Sequence, residues 1–270
     1  MEGSGQEMRD VCSPALVARM AAMLDLDPAS VPQGSLPRGW HVALFTVATR
    51  HSALRPDGLG GLGVDLPDLG LPRVVAGGRR LDFQGDIPIG AGVRRVSRTG
   101  GVVEKQGRSG RLAVVSVEHA VFVDGAGAPV LTERQDYVML SETPAGAAAS
   151  PPPSSPAQAT VERMLRPDAA MLLRYCAMTF NTHRIHYDHP YATQVEGYPG
   201  LVVNGGLAVL CLLQLFRDEA GREPAWADIR NKAPLFCDRP VRLCAVPGDA
   251  AWRLWAEDDG GRVAVEMSVA

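Results

Sequence analysis

The segment Leu207–Phe216 constrains the fold of this chain more than any other, because nine of its ten residues are apolar. A helix that is apolar on all sides has to be buried on most of its circumference. Its length is about half of the roughly 20 residues that a membrane-spanning helix needs. Asn204 precedes the segment as a good N-cap, and Arg217 begins the polar stretch that ends it. We therefore predict a buried helix over Asn204–Glu219 inside a globular protein.

Three segments after this helix alternate between apolar and polar residues. They are Val241–Ala245, Trp252–Glu257 and Val263–Val269. Alternation with a period of two is typical of strands that bury one face. Turn-forming residues at Pro247–Asp249 and Asp258–Gly261 favour direct hairpin connections between them. A long buried helix followed by an antiparallel meander predicts an α+β fold in which a sheet wraps round a helix.

A run rich in Pro, Ala and Ser at 143–159 divides the chain into two parts. Such a run cannot pack a core and is typical of an exposed linker. The expected organisation is therefore residues 1–142 and 160–270, each of which has the size of a domain. In the first part the patterns predict two helices, Pro14–Leu26 and Val42–Ala53, and four strands, Gly78–Phe83, Val93–Thr99, Leu112–Val123 and Val130–Leu140.

The composition argues against several classes of function. The 27 Lys and Arg and the 30 Asp and Glu give a net charge of −3, whereas nucleic-acid-binding domains are usually strongly basic. The five cysteines are odd in number and include no C-x-x-C pair, which argues against a disulfide framework and a cysteine zinc site. The polar start of the chain lacks the apolar region of a secretory signal. We expect a cytoplasmic protein without a nucleic-acid or membrane partner.

Three of the six histidines, His183, His186 and His189, fall within seven residues of one another, not far before the buried helix. Histidine is the side chain that changes its charge most readily near neutral pH. Three interpretations stay open. The histidines bind a metal, although the segment has no H-E-x-x-H pattern, or they satisfy backbone groups in a polar turn. The third is acid–base catalysis beside the helix start Gly205-Gly206, whose N–H groups and dipole favour negative charge.

Two runs carry a resemblance to a known family. Thr179–Asp188 reads T-F-N-T-H-R-I-H-Y-D, and Glu196–Gly205 reads E-G-Y-P-G-L-V-V-N-G. Both resemble the MaoC-like hydratase/dehydratase family, and most of all its branch of hydroxyacyl-thioester dehydratase type 2 and mesaconyl-C4-CoA or itaconyl-CoA hydratases. Three segments of the first part are similar to that branch as well: Gly39–His41, Gly77–Phe83 and Glu104–Gly110.

The resemblance implies a double hotdog, an α+β fold in which two antiparallel sheets each wrap a central helix within one chain. It also implies a hydro-lyase that reversibly hydrates a short-chain enoyl-CoA, with mesaconyl- or itaconyl-like dicarboxylic thioesters among the candidates. Two alternatives stay open: a 3-hydroxyacyl-ACP dehydratase of fatty-acid or polyketide synthesis, and a non-catalytic module that binds acyl thioesters. The module is favoured by Asn181 and Asn204, which replace the broad family's catalytic Asp and the His before the helix-opening glycine.

The resemblance also implies roles for residues of the histidine segment. His186 occupies the family's histidine position and would transfer the proton, because an imidazole both takes and gives protons near neutral pH. Asn181 and His183 would position the water or the hydroxyl group. Asp188 would orient one of the two histidines, with a surface Asp before a turn as the alternative.

Substrate binding is expected at two further places. The N–H of Gly205, at the helix start with Asn204 and Gly206, would bind the thioester oxygen. Lys105 and Arg108 lie around a Gly/Ser turn and would contact the CoA phosphates, with a solvated basic turn as the alternative. No metal or cofactor is expected. The expected partner is an acyl-CoA or acyl-ACP thioester, and a homodimer is compatible with this interpretation.

Overall fold

The computed structural model describes residues 5–107, 110–141 and 158–270. The α-helices of these residues are α1 (Pro14–Met23), α2 (Ala169–Thr179) and α3 (Gly205–Ala220). The strands are β1 (Gln6–Val11), β2 (Arg73–Phe83), β3 (Gly92–Gly107), β4 (Gly110–Val123), β5 (Leu131–Leu140), β6 (Val161–Leu165), β7 (Trp226–Asn231), β8 (Val241–Val246), β9 (Trp252–Glu257) and β10 (Val263–Val269).

These strands form one antiparallel sheet in the order β1-β3-β4-β5-β2-β7-β10-β9-β8-β6. Strands from the first part of the chain fill one side of the sheet, and strands from the second part fill the other. The two sides meet where β2 pairs with β7, with Leu81 opposite Ala227. The α+β class is confirmed, and the two expected sheets are joined edge to edge because β2 and β7 share a ladder of hydrogen bonds.

The predicted buried helix is confirmed as α3, which packs against β8, β9 and β10. All residues from Leu207 to Leu213 are buried, and Phe216 packs edge-on against Trp252. The helix ends at Gly221, whose left-handed conformation (φ 64°) glycine adopts without a steric penalty. The three strands of the predicted meander are also confirmed. The short strands β6 and β7, which the sequence patterns did not indicate, extend the same sheet.

The helix predicted at Val42–Ala53 is wrong. The segment has only single turns, Trp40–Ala43 and His51–Ala53, with irregular chain between them. Phe45 has φ 58°, which a helix does not allow, and its N–H donates to the Asp10 carboxylate at 2.7 Å. A tertiary hydrogen bond has therefore overruled the local apolar pattern.

Loop 44–72 covers the part of the first-half sheet where a central helix was expected. Its leucines Leu66, Leu69 and Leu71 pack on Ala113 and Met139, at one end of the sheet's inner face. Between the loop and strands β2 and β5 lies a cleft of about 520 Å³. The loop thus forms an open cleft with the ends of β2 and β5, at Val74 and Met139.

The other elements predicted for the first part are confirmed with different ends. The first helix is α1, which stops at Met23, and the four predicted strands lie within β2, β3, β4 and β5. Residues 142–157, which include most of the predicted linker, lie outside the described residues. The division into residues 1–142 and 160–270 therefore stays a prediction.

Candidate active site

His186 lies on a short turn, Arg184–His186, and its side chain is buried. Its Nδ1 lies 2.8 Å from the backbone oxygen of Val202. Because a carbonyl oxygen only accepts hydrogen bonds, Nδ1 carries the proton and Nε2 has a free lone pair. No described residue hydrogen-bonds to Nε2. This nitrogen is therefore free to accept a proton from a bound molecule.

The pKa of His186 is lowered to about 4, mainly by burial and to a smaller extent by the neighbouring His183, while the hydrogen bond to Val202 acts in the opposite direction. An imidazole with this pKa is neutral at pH 7 and is a strong acid once it is protonated. Such a group can take up a proton only briefly and return it readily. In the free protein His186 is therefore neutral, which is the form that accepts a proton.

His183 lies against His186 with the two rings perpendicular and their centres 5.6 Å apart. Its backbone N–H donates to Oδ1 of Asn181 at 2.9 Å. Burial lowers the pKa of His183, although Asp57 and Glu196 act in the opposite direction. The structure brings Asn181, His183 and His186 together as predicted, and one oxygen of Asn181 is used to fix the turn that carries His183.

Asp188 does not hydrogen-bond to His183 or His186, one of which it was expected to orient. Its carboxylate bonds to the Arg184 guanidinium at 2.9 Å and accepts the Tyr191 N–H at 3.1 Å. Among the described residues it therefore pairs with Arg184 and begins the turn Tyr191–Val195 instead of orienting a histidine. The pair has a local cause, because positions four residues apart on a helical turn face each other.

A loop from the first half supports the histidine segment. The sequence did not reveal this contact. Thr182 donates its hydroxyl to the Gly58 oxygen at 2.6 Å, and the Arg184 N–H donates to the Asp57 oxygen at 2.9 Å. Gly58 has φ 80°, and a side-chain carbon there would lie 2.3 Å from the Thr182 oxygen. The run Pro56-Asp57-Gly58 is a turn signal, but a turn signal does not show what the turn contacts.

The start of α3 presents two N–H groups, those of Gly205 and Gly206, that donate to no described backbone or side-chain acceptor. A side-chain carbon at Gly206 would lie 2.0 Å from the hydroxyl of Tyr175, so the hydroxyl packs directly on the helix start. Free N–H groups and the helix dipole together favour an anionic oxygen at this place. The donors expected of an oxyanion site are free, the site itself stays a prediction, and Tyr175 is an unexpected neighbour of these donors.

Asn204 is the N-cap residue, as predicted, but its side chain does not cap the helix. The buried amide lies 3.8 Å from the sulfur of Cys176 instead, which ties α3 to α2. Its orientation leaves the N–H groups of Gly205 and Gly206 uncapped. A side-chain cap would have occupied the donors that the oxyanion site needs.

The two residues predicted to contact CoA phosphates are not part of this cluster. Lys105 is an exposed residue of β3 in register with Leu112, and it forms no ion pair or hydrogen bond with another described residue. Arg108 lies outside the described residues. Phosphate binding by this pair stays a prediction.

The described residues bring together no group of three or more His, Cys, Asp or Glu side chains that could hold a metal ion. His189 is exposed. None of the helices in the described ranges is both long enough and apolar enough to cross a bilayer.

Comparisons with known proteins identify the family and the fold. Residues 39–237 match the model of the family "hydroxyacyl-thioester dehydratase type 2". The chain is 34% identical over 260 residues to the mesaconyl-C(4)-CoA hydratase of Chloroflexus aurantiacus, which covers 96% of this chain and 92% of the relative.

Solved structures show the same fold at low sequence identity. A MaoC-like dehydratase from Phytophthora capsici superposes with a TM-score of 0.71 at 11% identity over 99% of this chain and 95% of its own. A conserved hypothetical protein from Mycobacterium tuberculosis, described as a double hotdog, has a TM-score of 0.61 at 13% identity over 99% and 95%. The expected double hotdog is confirmed.

Proposed function

Because the chain belongs to the hydroxyacyl-thioester dehydratase type 2 family, we propose that it reversibly hydrates a short dicarboxylic enoyl-CoA and that His186 moves the proton. The protein is a hydro-lyase of the hydratase/dehydratase type. The substrate class is supported by the name of its mesaconyl-C(4)-CoA hydratase relative. The roles of individual residues are supported by their geometry.

In the hydration direction, water adds to Cβ of the enoyl thioester and a proton adds to Cα. His186 Nε2 takes a proton from the water as its oxygen bonds to Cβ. The electron pair of the double bond moves toward the thioester carbonyl and forms an enolate. The imidazolium then gives its proton to Cα, so that His186 returns to its neutral form.

The enolate oxygen needs hydrogen-bond donors that are already in place. The free N–H groups of Gly205 and Gly206 supply them at the positive end of α3. Removing one such donor from an enzyme typically costs about 100- to 1000-fold in rate. The negative charge near His186 also stabilises its imidazolium while the enolate exists.

The observation that carries the proposal is that Val202 connects His186 to the start of α3. Its backbone oxygen accepts from His186 Nδ1 at 2.8 Å, and its N–H donates to the Ile185 oxygen at 2.9 Å. Three residues later the chain enters α3 at Gly205. The proton-transfer group and the oxyanion donors are therefore held at a fixed separation, as catalysis on one substrate requires.

The test is loss of the enoyl-thioester absorbance with mesaconyl-C4-CoA and with crotonyl-CoA. The purified protein should hydrate at least one of them, and His186→Ala should not, whereas the exposed His189→Ala should match the wild type. Binding of both thioesters without turnover would instead support the non-catalytic module. Faster turnover of the same acyl groups on acyl carrier protein would reassign the carrier.

A further inference from the structure

A buried polar cluster lies on the inner face of the first-half sheet. We call it the inner-face cluster, and its members are Arg79 on β2, Arg95 on β3, His119 on β4, Glu133 on β5 and His41 on the turn before loop 44–72. Arg79 Nε lies 2.9 Å from one Glu133 oxygen, and His41 Nε2 lies 3.1 Å from the other. The proton-transfer step proposed above uses none of these residues.

The cluster holds more positive than negative charge. Burial alone would raise the pKa of Glu133, but Arg79 and His41 beside it hold that pKa well below the usual range, so Glu133 is ionised. His119 is neutral, because burial lowers its pKa to about 4. Two guanidinium groups, Arg79 and Arg95, therefore face one carboxylate.

Arg95 is the cation without a counter-ion. No carboxylate of a described residue lies within ion-pair distance of it, and its polar contacts are the Met8 sulfur at 3.2 Å and the face of the Phe45 ring. Its Nε is buried and has no hydrogen-bond partner among the described residues. Buried charges in proteins are normally paired, and a buried donor without a partner costs free energy. Arg95 therefore lacks an anionic hydrogen-bond acceptor among the described residues.

The cluster is connected to the candidate active site through β2 and α2. Asn231 on β7 packs against Gly205 and donates to the Ala76 oxygen of β2 at 3.2 Å. Arg79 follows Ala76 by three residues, which is about 10 Å along β2 at roughly 3.3 Å per residue. The Tyr175 hydroxyl packs on Gly206 and has no hydrogen-bond partner among the described residues. The positive charge of Arg79 nearby acts to lower the pKa of this hydroxyl, against the larger effect of burial. The Arg79–Glu133 side of the cluster is therefore the side nearest the helix start, where the thioester is proposed to bind.

We propose that the inner-face cluster binds the free carboxylate of a dicarboxylic acyl thioester, with Arg95 as the main cation. This inference rests on the proposed function for the place of the thioester, and it identifies what selects the substrate. A guanidinium matches a carboxylate through two parallel N–H donors, and Arg95 has the unused Nε for one of them. One carboxylate also restores charge balance in the cluster.

The experiment compares binding of succinyl-CoA and butyryl-CoA, which share a four-carbon acyl chain and differ in the terminal carboxylate. Neither carries the double bond that hydration needs, so calorimetry reports recognition separately from catalysis. The wild type should bind succinyl-CoA at least about tenfold more tightly, as expected for a hydrogen bond to a charged group. Arg95→Met should abolish that difference and leave the affinity for butyryl-CoA unchanged.

Arg94→Met is the matched control, because Arg94 is the neighbouring residue of β3 and its guanidinium lies over Phe122 and beside Glu7. It should keep the preference for succinyl-CoA. A second check is thermal stability. Arg95→Met removes an unpaired buried charge and should not lower the Tm of the free protein. Succinyl-CoA should raise Tm more than butyryl-CoA does in the wild type, and the two should raise it equally in Arg95→Met.

Equal affinity of the wild type for the two thioesters would overturn the inference, as would a preference that survives in Arg95→Met. Neither result would bear on hydration of crotonyl-CoA, which tests the proposed function separately. If crotonyl-CoA is hydrated but succinyl-CoA is not preferred, the function stands and the carboxylate site is wrong. If succinyl-CoA is preferred but no enoyl-CoA is hydrated, the site stands and the hydratase proposal is wrong.

Discussion

His186 and His183 lie in contact, yet their surroundings differ in a way that separates their roles. His186 has one nitrogen fixed by the Val202 carbonyl and the other free. His183 is fixed through its backbone, by the Asn181 side chain. Asn181 has no proton to exchange near neutral pH, so we expect the proton to pass through an imidazole, and His186 is the one whose tautomer is defined.

Replacing His186 should therefore be the most costly change in the histidine segment. We expect His186→Ala to lower kcat by about 100- to 10,000-fold, the usual contribution of general acid–base catalysis, with thioester affinity largely kept because Gly205 still binds the carbonyl. His183→Asn should cost about tenfold, since an amide can replace a positioning hydrogen bond. Steady-state kinetics and calorimetry check both values. An inactive His183→Asn beside a nearly normal His186→Ala would make His183 the base.

The lowered histidine pKa values predict how stability depends on pH. His186 and His119 titrate at about 4 in the folded protein, against about 6.5 in the unfolded chain. Between these values the unfolded state binds the extra protons, so the free energy of unfolding falls as pH falls from about 6.5 to 4, by up to about 3 kcal/mol for each histidine.

Urea denaturation at a series of pH values checks this slope. His119→Gln keeps a hydrogen-bonding group beside Ser97, which lies 2.8 Å from His119 Nδ1, and removes the titration. It should flatten the slope between pH 6.5 and 4, whereas replacing the exposed His189 should leave the slope unchanged. Equal slopes in the wild type and His119→Gln would contradict the lowered pKa of His119.

The turn at Pro56-Asp57-Gly58 links loop 44–72 to catalysis. It contacts Thr182 and Arg184 on either side of His183 through three hydrogen bonds. The first half of the chain therefore helps to hold the histidine segment, although the proposed proton-transfer group lies in the second half. A turn with this position transmits any local distortion directly to the site.

Gly58→Ala tests this link. The new side-chain carbon would lie 2.3 Å from the Thr182 oxygen at a backbone φ of 80°, so either the turn or the histidine segment has to move. We expect kcat to fall by at least about tenfold, because small misplacements near reacting groups are costly. Gly125→Ala is the control: it has φ 83° but open space around it, so it should cost stability and leave kcat unchanged.

The continuous sheet makes the two parts of the chain interdependent. Strand β7 is paired on one side with β10 and on the other with β2. Without residues 1–142, β7 becomes an unpaired edge, and exposed edges with apolar neighbours promote aggregation. We expect residues 160–270 expressed alone to aggregate or to be inactive.

Size-exclusion chromatography and the crotonyl-CoA assay check this expectation. Co-expression with residues 1–142 should restore a soluble complex, because the β2–β7 pairing can form between separate chains. A monomeric and fully active fragment 160–270 would show that the halves are independent and would contradict the role given to the sheet junction.

Local patterns were sufficient for α3, β8, β9 and β10 of the second half, but not for α2, β6 and β7. The apolar run Leu207–Phe216 can be satisfied only by burial, and the alternation after Val241 predicts strands. Both signals reside in neighbouring residues, so α3 and its meander could be predicted without knowing what they contact. The structure buries residues on the second face of these strands as well, namely Cys244, Trp255 and Val263. His183, His186 and Gly205 could also be selected as candidate site residues from the sequence, because the family resemblance rests on the sequence alone.

Contacts between distant residues decided the rest, because no local pattern encodes them. The Asp10 carboxylate takes the N–H of Phe45 and prevents the helix predicted there. Arg79, Arg95 and Glu133 are far apart in the chain and carry ordinary surface charges in the sequence. Only the pairing of β2, β5, β4 and β3 places them together on one buried face, where burial turns their unequal charges into a potential carboxylate site.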